Sequence, residues 1–80
     1  MKYVYLLESI SNPGKHYIGI TSDLDARIKD HNAGKSPHTA RFKPWKISVV
    51  VRFNDDHRAE AFEKYLKSGS GHAFAKRHLW

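Results

Sequence analysis

The first predicted strand of this chain is apolar on both of its faces. Between Lys2 and Glu8, every residue from Tyr3 to Leu7 is aliphatic or aromatic, so neither alternate set of side chains would face water. Such a run is typical of a strand in the middle of a sheet, covered on both sides. This requirement constrains the fold more than any other feature of the sequence.

Two further strands are expected beside it. Asn12-Pro13-Gly14 is a turn signal, because proline fixes φ and glycine tolerates positive φ, and His16 to Thr21 follows it as a second strand. The first two strands should therefore form an antiparallel hairpin. A third strand is predicted from Lys46 to Phe53, with one face formed by Ile47, Val49, Val51 and Phe53.

Three helices complete the pattern. Ser22 is expected to cap the first helix, with Asp25 as its capping-box partner, and Gly34 to end it after about Ala33. The second helix should start at Asn54 or Asp55 and reach Lys67, where Ser68-Gly69-Ser70-Gly71 ends it. A short last helix is expected from about Ala73 to Leu79. The order β-β-α-β-α-α predicts an α+β fold, a small sheet with helices packed on it.

The bulk properties limit the classes of function. A chain of 80 residues forms one domain, expected here to be residues 1–80. The formal net charge of +6 favours polyanionic partners such as nucleic acid. There is no cysteine, so disulfides and cysteine-bound metals are excluded. The apolar run at the start is too short for a signal peptide or a membrane span, and we expect a cytoplasmic protein with no membrane partner.

Ionisable residues fall on the expected inward faces of the first two long helices. The i, i+3, i+4, i+7 stripes are Leu24, Arg27, Ile28 and His31 in one, and Ala59, Phe62, Glu63 and Leu66 in the other. Burying an unpaired charge is costly, so these polar side chains should share partners, contact a ligand or line a cleft. Simpler alternatives remain: Glu63 can pair with Lys67, Arg27 with Asp23 or Asp30, and a histidine at a helix end is commonly structural.

The strands contribute tyrosines and one glycine. Tyr3 and Tyr5 share a face of the first strand, and Tyr17 shares a face of the second with Gly19. Most strand tyrosines serve only for packing. A glycine inside a strand, however, leaves room for another backbone or a ligand, which makes Tyr17 a candidate for contact with a bound molecule.

Together these residues resemble the GIY-YIG nuclease superfamily. The resemblance rests on Tyr3-Val4-Tyr5, on Tyr17-Ile18-Gly19 about a dozen positions later, on Arg27 in the next helix and on Glu63 in a later one. His31-Asn32-Ala33-Gly34-Lys35 and the segment from Ala61 to Lys67 are similar to those of short standalone members of the superfamily. The match covers essentially the whole chain.

The resemblance implies a three-stranded antiparallel sheet flanked by helices, and a hydrolase that cuts phosphodiester bonds. It implies one divalent cation, Mg²⁺ or Mn²⁺, held by Glu63 as the single protein carboxylate. Tyr17, assisted by Tyr5 or His31, would position or deprotonate the attacking water. Arg27 would stabilise charge on the phosphate oxygens, a role that suits its fixed fork of donors.

The sequence thus predicts a metal-dependent endonuclease acting on DNA, with structured or damaged DNA and a place in DNA repair as the finer expectation. The catalytic set is Tyr5, Tyr17, Arg27, His31 and Glu63, and these residues should open on one concave patch. Lys35, Arg41 and Lys43, in the irregular segment after the first helix, are expected to contact phosphates. The alternatives are a nucleic-acid-binding module of the same fold that cleaves nothing, and a partner-binding domain with a solvated basic face.

Overall fold

A computed structural model describes residues 1–80 and confirms the predicted α+β fold, a three-stranded antiparallel sheet with three helices. The strands are β1 (Lys2–Ser9), β2 (His16–Thr21) and β3 (Trp45–Phe53). The helices are α1 (Leu24–Asn32), α2 (Asp56–Leu66) and α3 (Gly69–His78), and a single 3₁₀ turn, Ala40–Phe42, lies before β3. No helix is both long and apolar enough to cross a membrane.

The apolar first strand lies in the centre of the sheet, as its pattern predicts. The strand order is β2-β1-β3, and both neighbours pair with β1 in antiparallel fashion. Val4 and Leu6 point to one face and pack with residues of α2 and α3, whereas Tyr5 and Leu7 point to the other and pack with residues of α1. All four side chains are fully buried. The thin core is therefore two separate layers, one on each face of β1.

The expected single apolar face of β3 is wrong at one residue. A bulge shifts the pairing between Leu6 and Leu7, so Leu6 faces Val49 but Leu7 faces Ile47, and Ser48 is the extra residue. Because side chains alternate along a strand, one inserted residue turns Ile47 to the opposite face from Val49. Ile47 consequently lies 44% exposed instead of joining the core.

Two helix starts also differ from the expectation. Asp23, not Ser22, caps α1, and its Oδ1 accepts a hydrogen bond from the Ala26 N–H at 3.1 Å. Ser68 caps α3, accepting from the Gly71 N–H at 3.2 Å, so the glycine-rich segment forms the first turn of α3, which begins at Gly69 and not at about Ala73. Gly71 has a packing reason: a Cβ there would collide with the backbone of Tyr65, against which α3 begins.

The irregular segment before β3 is tied firmly to the α1 side of the sheet. Asn32 at the end of α1 accepts a hydrogen bond from the Trp45 N–H at 2.6 Å. Ser9 donates to the Phe42 carbonyl at 2.6 Å. Trp45 and Phe42 pack in the core layer that contains Tyr5. The segment that carries Lys35, Arg41 and Lys43 is therefore fixed at both its beginning and its end.

Candidate active site

Gly19 makes room for the ring of Tyr5. The two residues are directly opposed in the β1–β2 ladder, and a Cβ at Gly19 would overlap the hydroxyl end of the Tyr5 ring. The space predicted beside Tyr17 is thus filled by Tyr5 and not by a ligand. Because β2 is an edge strand, a ring that lies across Gly19 carries its hydroxyl from the centre of the sheet toward the open edge.

A row of buried polar side chains begins at that hydroxyl. Tyr5 Oη lies 2.9 Å from His31 Nε2, and His31 Nδ1 lies 2.6 Å from Thr39 Oγ1. All three residues are fully buried. The Trp45 indole N–H donates to the Thr39 carbonyl at 2.9 Å, which holds the far end of the row in place. His31 is therefore fixed through both ring nitrogens.

Tyr17 and Arg27 lie over this row. The Tyr17 ring centroid is 6.3 Å from that of Tyr5 and 5.0 Å from that of His31. The contact with Tyr5 raises the pKa of the Arg27 guanidinium, which stays fully charged. Tyr17 and Arg27 are only half-buried, so they, unlike Tyr5 and His31, can meet a ligand.

The electrostatics of the row follow from burial and from Arg27. Burial raises the pKa of the Tyr5 hydroxyl, and the neighbouring Arg27 opposes that rise. Burial, and then the positive charge of Arg27, lower the pKa of His31. At neutral pH the row therefore contains a neutral imidazole and a protonated phenol beneath a guanidinium.

Glu63 is carried by a helix on the other face of the sheet and is linked to the site through Lys67. Helix α2 packs on the Val4–Leu6 face, yet Glu63 Oε2 forms an ion pair of 2.6 Å with Lys67 Nζ, and that ammonium lies 6.0 Å from the Tyr17 ring centroid. Lys67 thus links the carboxylate of α2 with the tyrosine of the edge strand. The Glu63 side chain is only 18% exposed.

The geometric expectation of one open patch is correct only in part. Tyr5, Tyr17, Arg27 and His31 come together, but Tyr5 and His31 are fully buried under the other two instead of lining the surface. Glu63 pairs with Lys67, which was the simpler alternative for that residue. Arg27 forms no ion pair with Asp23 or Asp30, and Asp30 instead lies 3.9 Å from Lys35.

The three basic residues of the irregular segment are exposed. Arg41 lies 5.4 Å from the Phe42 ring centroid, and the Lys43 side chain packs over Gly34, which ends α1 with φ of +78°. Their expected contacts with phosphates remain a prediction. What the structure adds is their position, on the α1 side, in the segment that also supplies Thr39 to the buried row.

Two residues of the site were missed in the sequence. Thr39 lies in an irregular stretch with no periodicity, so nothing in the pattern marked it as buried. Lys67 was considered only as an ion-pair partner, although it comes one helical turn after Glu63 and therefore faces the same way. Its place beside Tyr17 depends on how α2 packs at the edge strand.

Comparison with known proteins identifies the family. The family model of the GIY-YIG catalytic domain matches residues 1–77. The chain belongs to the GIY-YIG family. Membership agrees with the fold, since the three-stranded sheet flanked by helices is what the resemblance implied. Membership of this family supports a nuclease.

Relatives of at least two kinds match the chain. The structure-specific endonuclease subunits SLX1 of Scheffersomyces stipitis and Debaryomyces hansenii are 43% and 34% identical over 60% and 95% of this chain. The chain spans only 16% and 23% of those two proteins. A UPF0213 protein of Lacticaseibacillus paracasei is 35% identical over 88% of the chain, which covers 78% of that protein.

Proposed function

We propose that this GIY-YIG domain is a divalent-metal-dependent endonuclease that hydrolyses phosphodiester bonds in DNA. The observation that carries the proposal is the position of Tyr17 and Arg27 over the buried Tyr5–His31 row, with Lys67, the ion-pair partner of Glu63, 6.0 Å from the Tyr17 ring centroid. The basic charge of the chain supports a nucleic-acid substrate. The names of the SLX1 relatives support structure-specific substrates in particular, and we extend the proposal to branched or flapped DNA.

The donor set fits a hard cation held by few protein ligands. No group of three or more His, Asp or Glu side chains converges anywhere in the chain, so protein side chains alone do not form a complete coordination shell for a metal ion. Mg²⁺ commonly binds through one or two carboxylates and completes its shell with water and substrate phosphate. Glu63 offers such a carboxylate, and its contact with Lys67 shows that a positive charge is already accommodated there.

Glu63 would hold one Mg²⁺ or Mn²⁺, whose chemistry there is to polarise the phosphate and favour departure of the leaving oxygen. Tyr17 would meet the attacking water, because it is the tyrosine of the site that is partly open to solvent. Tyr5 and His31 would hold that side of the site in place from beneath. Arg27 would bind the phosphate oxygens as their charge grows.

Space for substrate lies next to these groups. A cavity of about 270 Å³ opens beside Tyr17 and Lys67 and extends to Ile18, Leu66 and Trp80. It also includes the imidazoles of His16 and His72. An ammonium near an apolar wall suits a nucleotide neighbouring the scissile phosphate, with its phosphate toward Lys67.

The direct test is cleavage of a DNA panel. The pure protein is incubated with duplex, single-stranded, flapped and branched DNA in Mg²⁺, in Mn²⁺ and in chelator. Cuts that require metal and favour a flap or branch support the proposal in full. Metal-dependent cuts without such a preference support the nuclease but not the structural specificity. Salt-sensitive binding without cleavage in any metal would favour the binding-module alternative, and the absence of binding would favour the partner-binding domain.

A further inference from the structure

Thr39 is a buried residue that the proposed chemistry does not yet use. Its hydroxyl lies 2.6 Å from His31 Nδ1, and no other hydrogen-bond partner lies within reach of that oxygen. Its carbonyl is engaged separately, by the Trp45 indole. The residue therefore has one polar side-chain contact, and this contact is made with the imidazole of the site.

The row from Thr39 to Tyr5 has one more polar hydrogen than it can use internally. Each of the Thr39 hydroxyl, the neutral His31 ring and the Tyr5 hydroxyl carries one hydrogen, but the row contains only two hydrogen bonds. One hydrogen must leave the row, either at the Thr39 end or at the Tyr5 end. Which end it leaves determines which nitrogen of His31 is protonated.

The two ends have different surroundings. At the Thr39 end the hydroxyl is buried with no second acceptor, and a buried donor without a partner is destabilising. The Tyr5 hydroxyl is also buried, but it is in contact with Arg27 and its ring packs near Tyr17, the two partly open members of the site, so an oxygen of a bound ligand can accept there. The hydrogen is therefore better placed at the Tyr5 end.

We propose that Thr39 is a positioning residue that fixes the tautomer of His31, an inference that rests on the proposed function for its catalytic consequence. The Thr39 hydroxyl donates to Nδ1, the Nε2–H group donates to Tyr5 Oη, and the Tyr5 O–H group points toward Tyr17 and the substrate. Arg27 is a donor only, so its contact with Tyr5 also places a donor toward the Tyr5 oxygen. Tyr5 then presents its hydroxyl hydrogen to the reacting groups in one direction.

The tautomer is measured directly by nuclear magnetic resonance on protein labelled with ¹⁵N-histidine. The His31 signals are assigned by their loss in His31→Gln, and long-range ¹H–¹⁵N spectra show which ring nitrogen carries the proton. The proposal predicts a proton on Nε2 and a hydrogen-bonded, unprotonated Nδ1. A wild-type protein with the proton on Nδ1 overturns it. This result does not depend on whether the protein cuts DNA.

Two variants separate positioning from folding. Thr39→Val keeps the shape but removes the donor, so the Nδ1 resonance should move toward that of an acceptor without a partner, whereas Thr39→Ser should preserve the wild-type value. The indole signal of Trp45 reports that the segment stays in place, because its partner is the backbone of Thr39. If Thr39→Val with an intact Trp45 signal leaves the Nδ1 resonance unchanged, the proposed hydrogen bond is refuted.

The same variants test the catalytic consequence. Residues that orient a metal-bound histidine contribute roughly 10- to 100-fold to activity, and we take the same range for Thr39, although His31 is not proposed to bind the metal. We expect Thr39→Val to lower kcat by about that factor with little change in DNA affinity, and Thr39→Ser to restore most of the rate. A folded Thr39→Val protein with wild-type kcat would refute the positioning role. If neither the wild type nor any variant cleaves DNA, the proposed function is contradicted. The tautomer of His31 measured by nuclear magnetic resonance is not affected by that result.

Discussion

The hydroxyl end of Tyr5 lies directly over Gly19, its partner on the neighbouring strand. This relationship explains why a central, fully buried tyrosine contributes to a site at the edge of the sheet. It also gives the glycine of Tyr17-Ile18-Gly19 a physical role, which is to leave space for the ring of Tyr5 without displacing the strand.

Gly19→Ala should therefore disturb the site from within. The new methyl group would overlap a ring held on all sides, and overpacking of this kind costs about 1–3 kcal/mol. We expect a lower free energy of unfolding in urea and a loss of the Tyr5–His31 hydrogen bond, seen in the His31 ring signals. Gly69→Ala is the matched control, because a Cβ there meets no atom within 4 Å, and it should leave both measurements unchanged or slightly raise the stability.

The ion pair between Glu63 and Lys67 leads to a prediction about metal affinity. A divalent cation at Glu63 has to displace the Lys67 ammonium, so Lys67→Met should tighten binding of Mn²⁺. The expected gain is about two- to fivefold, the factor that corresponds to roughly 0.5–1 kcal/mol for a pair at this exposure. Calorimetric titration with Mn²⁺ measures it.

Lys64→Met provides the control for that titration. Lys64 lies on the same helix and carries the same charge, but it makes no ion pair with Glu63. Equal Mn²⁺ affinities in both variants and the wild type would show that Lys67 does not compete with the metal. An equal gain in Mn²⁺ affinity in both variants would mean that the loss of any nearby positive charge causes the effect, and not the loss of the ion pair with Glu63.

The buried imidazole predicts a dependence of stability on pH. The pKa of His31 is lowered in the folded state, so as pH falls below the unfolded value of about 6.5 the unfolded chain takes up a proton that the native state does not. The free energy of unfolding should thus fall between pH 7 and pH 5, with a slope of at most about 1.4 kcal/mol per pH unit from this residue.

Urea unfolding at a series of pH values measures that slope. His31→Gln should flatten it, because the variant has no titrating group at this position. His57→Gln, which changes an exposed residue in the first turn of α2, serves as the control and should retain the wild-type dependence. A His31→Gln protein with an unchanged slope would contradict the account of a buried neutral histidine.

The basic residues of the irregular segment predict the salt dependence of DNA binding. Changing Lys35, Arg41 and Lys43 together to Gln should weaken binding and reduce the slope of log affinity against log salt by up to about 0.9 per lost phosphate contact. The control removes the same charge from Arg58, Lys76 and Arg77, on helices that pack on the opposite face of the sheet. If both triple variants lose the same slope, the segment is not the contact surface.

Much of the fold was predictable because its determinants are local. The apolar run of β1, the Asn12-Pro13-Gly14 turn and the helical stripes are visible in the sequence, and the strand order and the burial of Tyr5 and Leu6 follow from them. The bulge at Ser48 was not predictable, because an extra residue in a strand leaves no mark on a short alternating pattern. Ile47 was misassigned for that reason.

The residues that form the site could be predicted from the sequence, but which of them would be buried could not. Helical periodicity placed Arg27, His31 and Glu63 on inward faces, yet it could not show that His31 would be sealed beneath Tyr17. The burial of Thr39 could not be predicted, because it depends on how the segment after α1 folds back onto Trp45. Periodicity describes one element at a time, and these positions depend on how several elements meet.

The proposed function depends most on Glu63 as the ligand of the metal. Glu63→Gln keeps the size of the side chain but removes the charge that a hard divalent cation requires. Arg27→Ala provides a contrast, since it should lower both the rate and the DNA affinity by removing a phosphate contact.

The most direct measurement is the single-turnover rate of flap-DNA cleavage in Mg²⁺ by folded Glu63→Gln beside the wild type. We expect the rate to fall by several orders of magnitude, with DNA affinity in chelator unchanged or tighter because a negative charge has left the site. If Glu63 served only as the ion-pair partner of Lys67, the change would cost about 0.3–0.5 kcal/mol of stability and leave the rate intact. Wild-type cleavage by the folded variant would contradict the account.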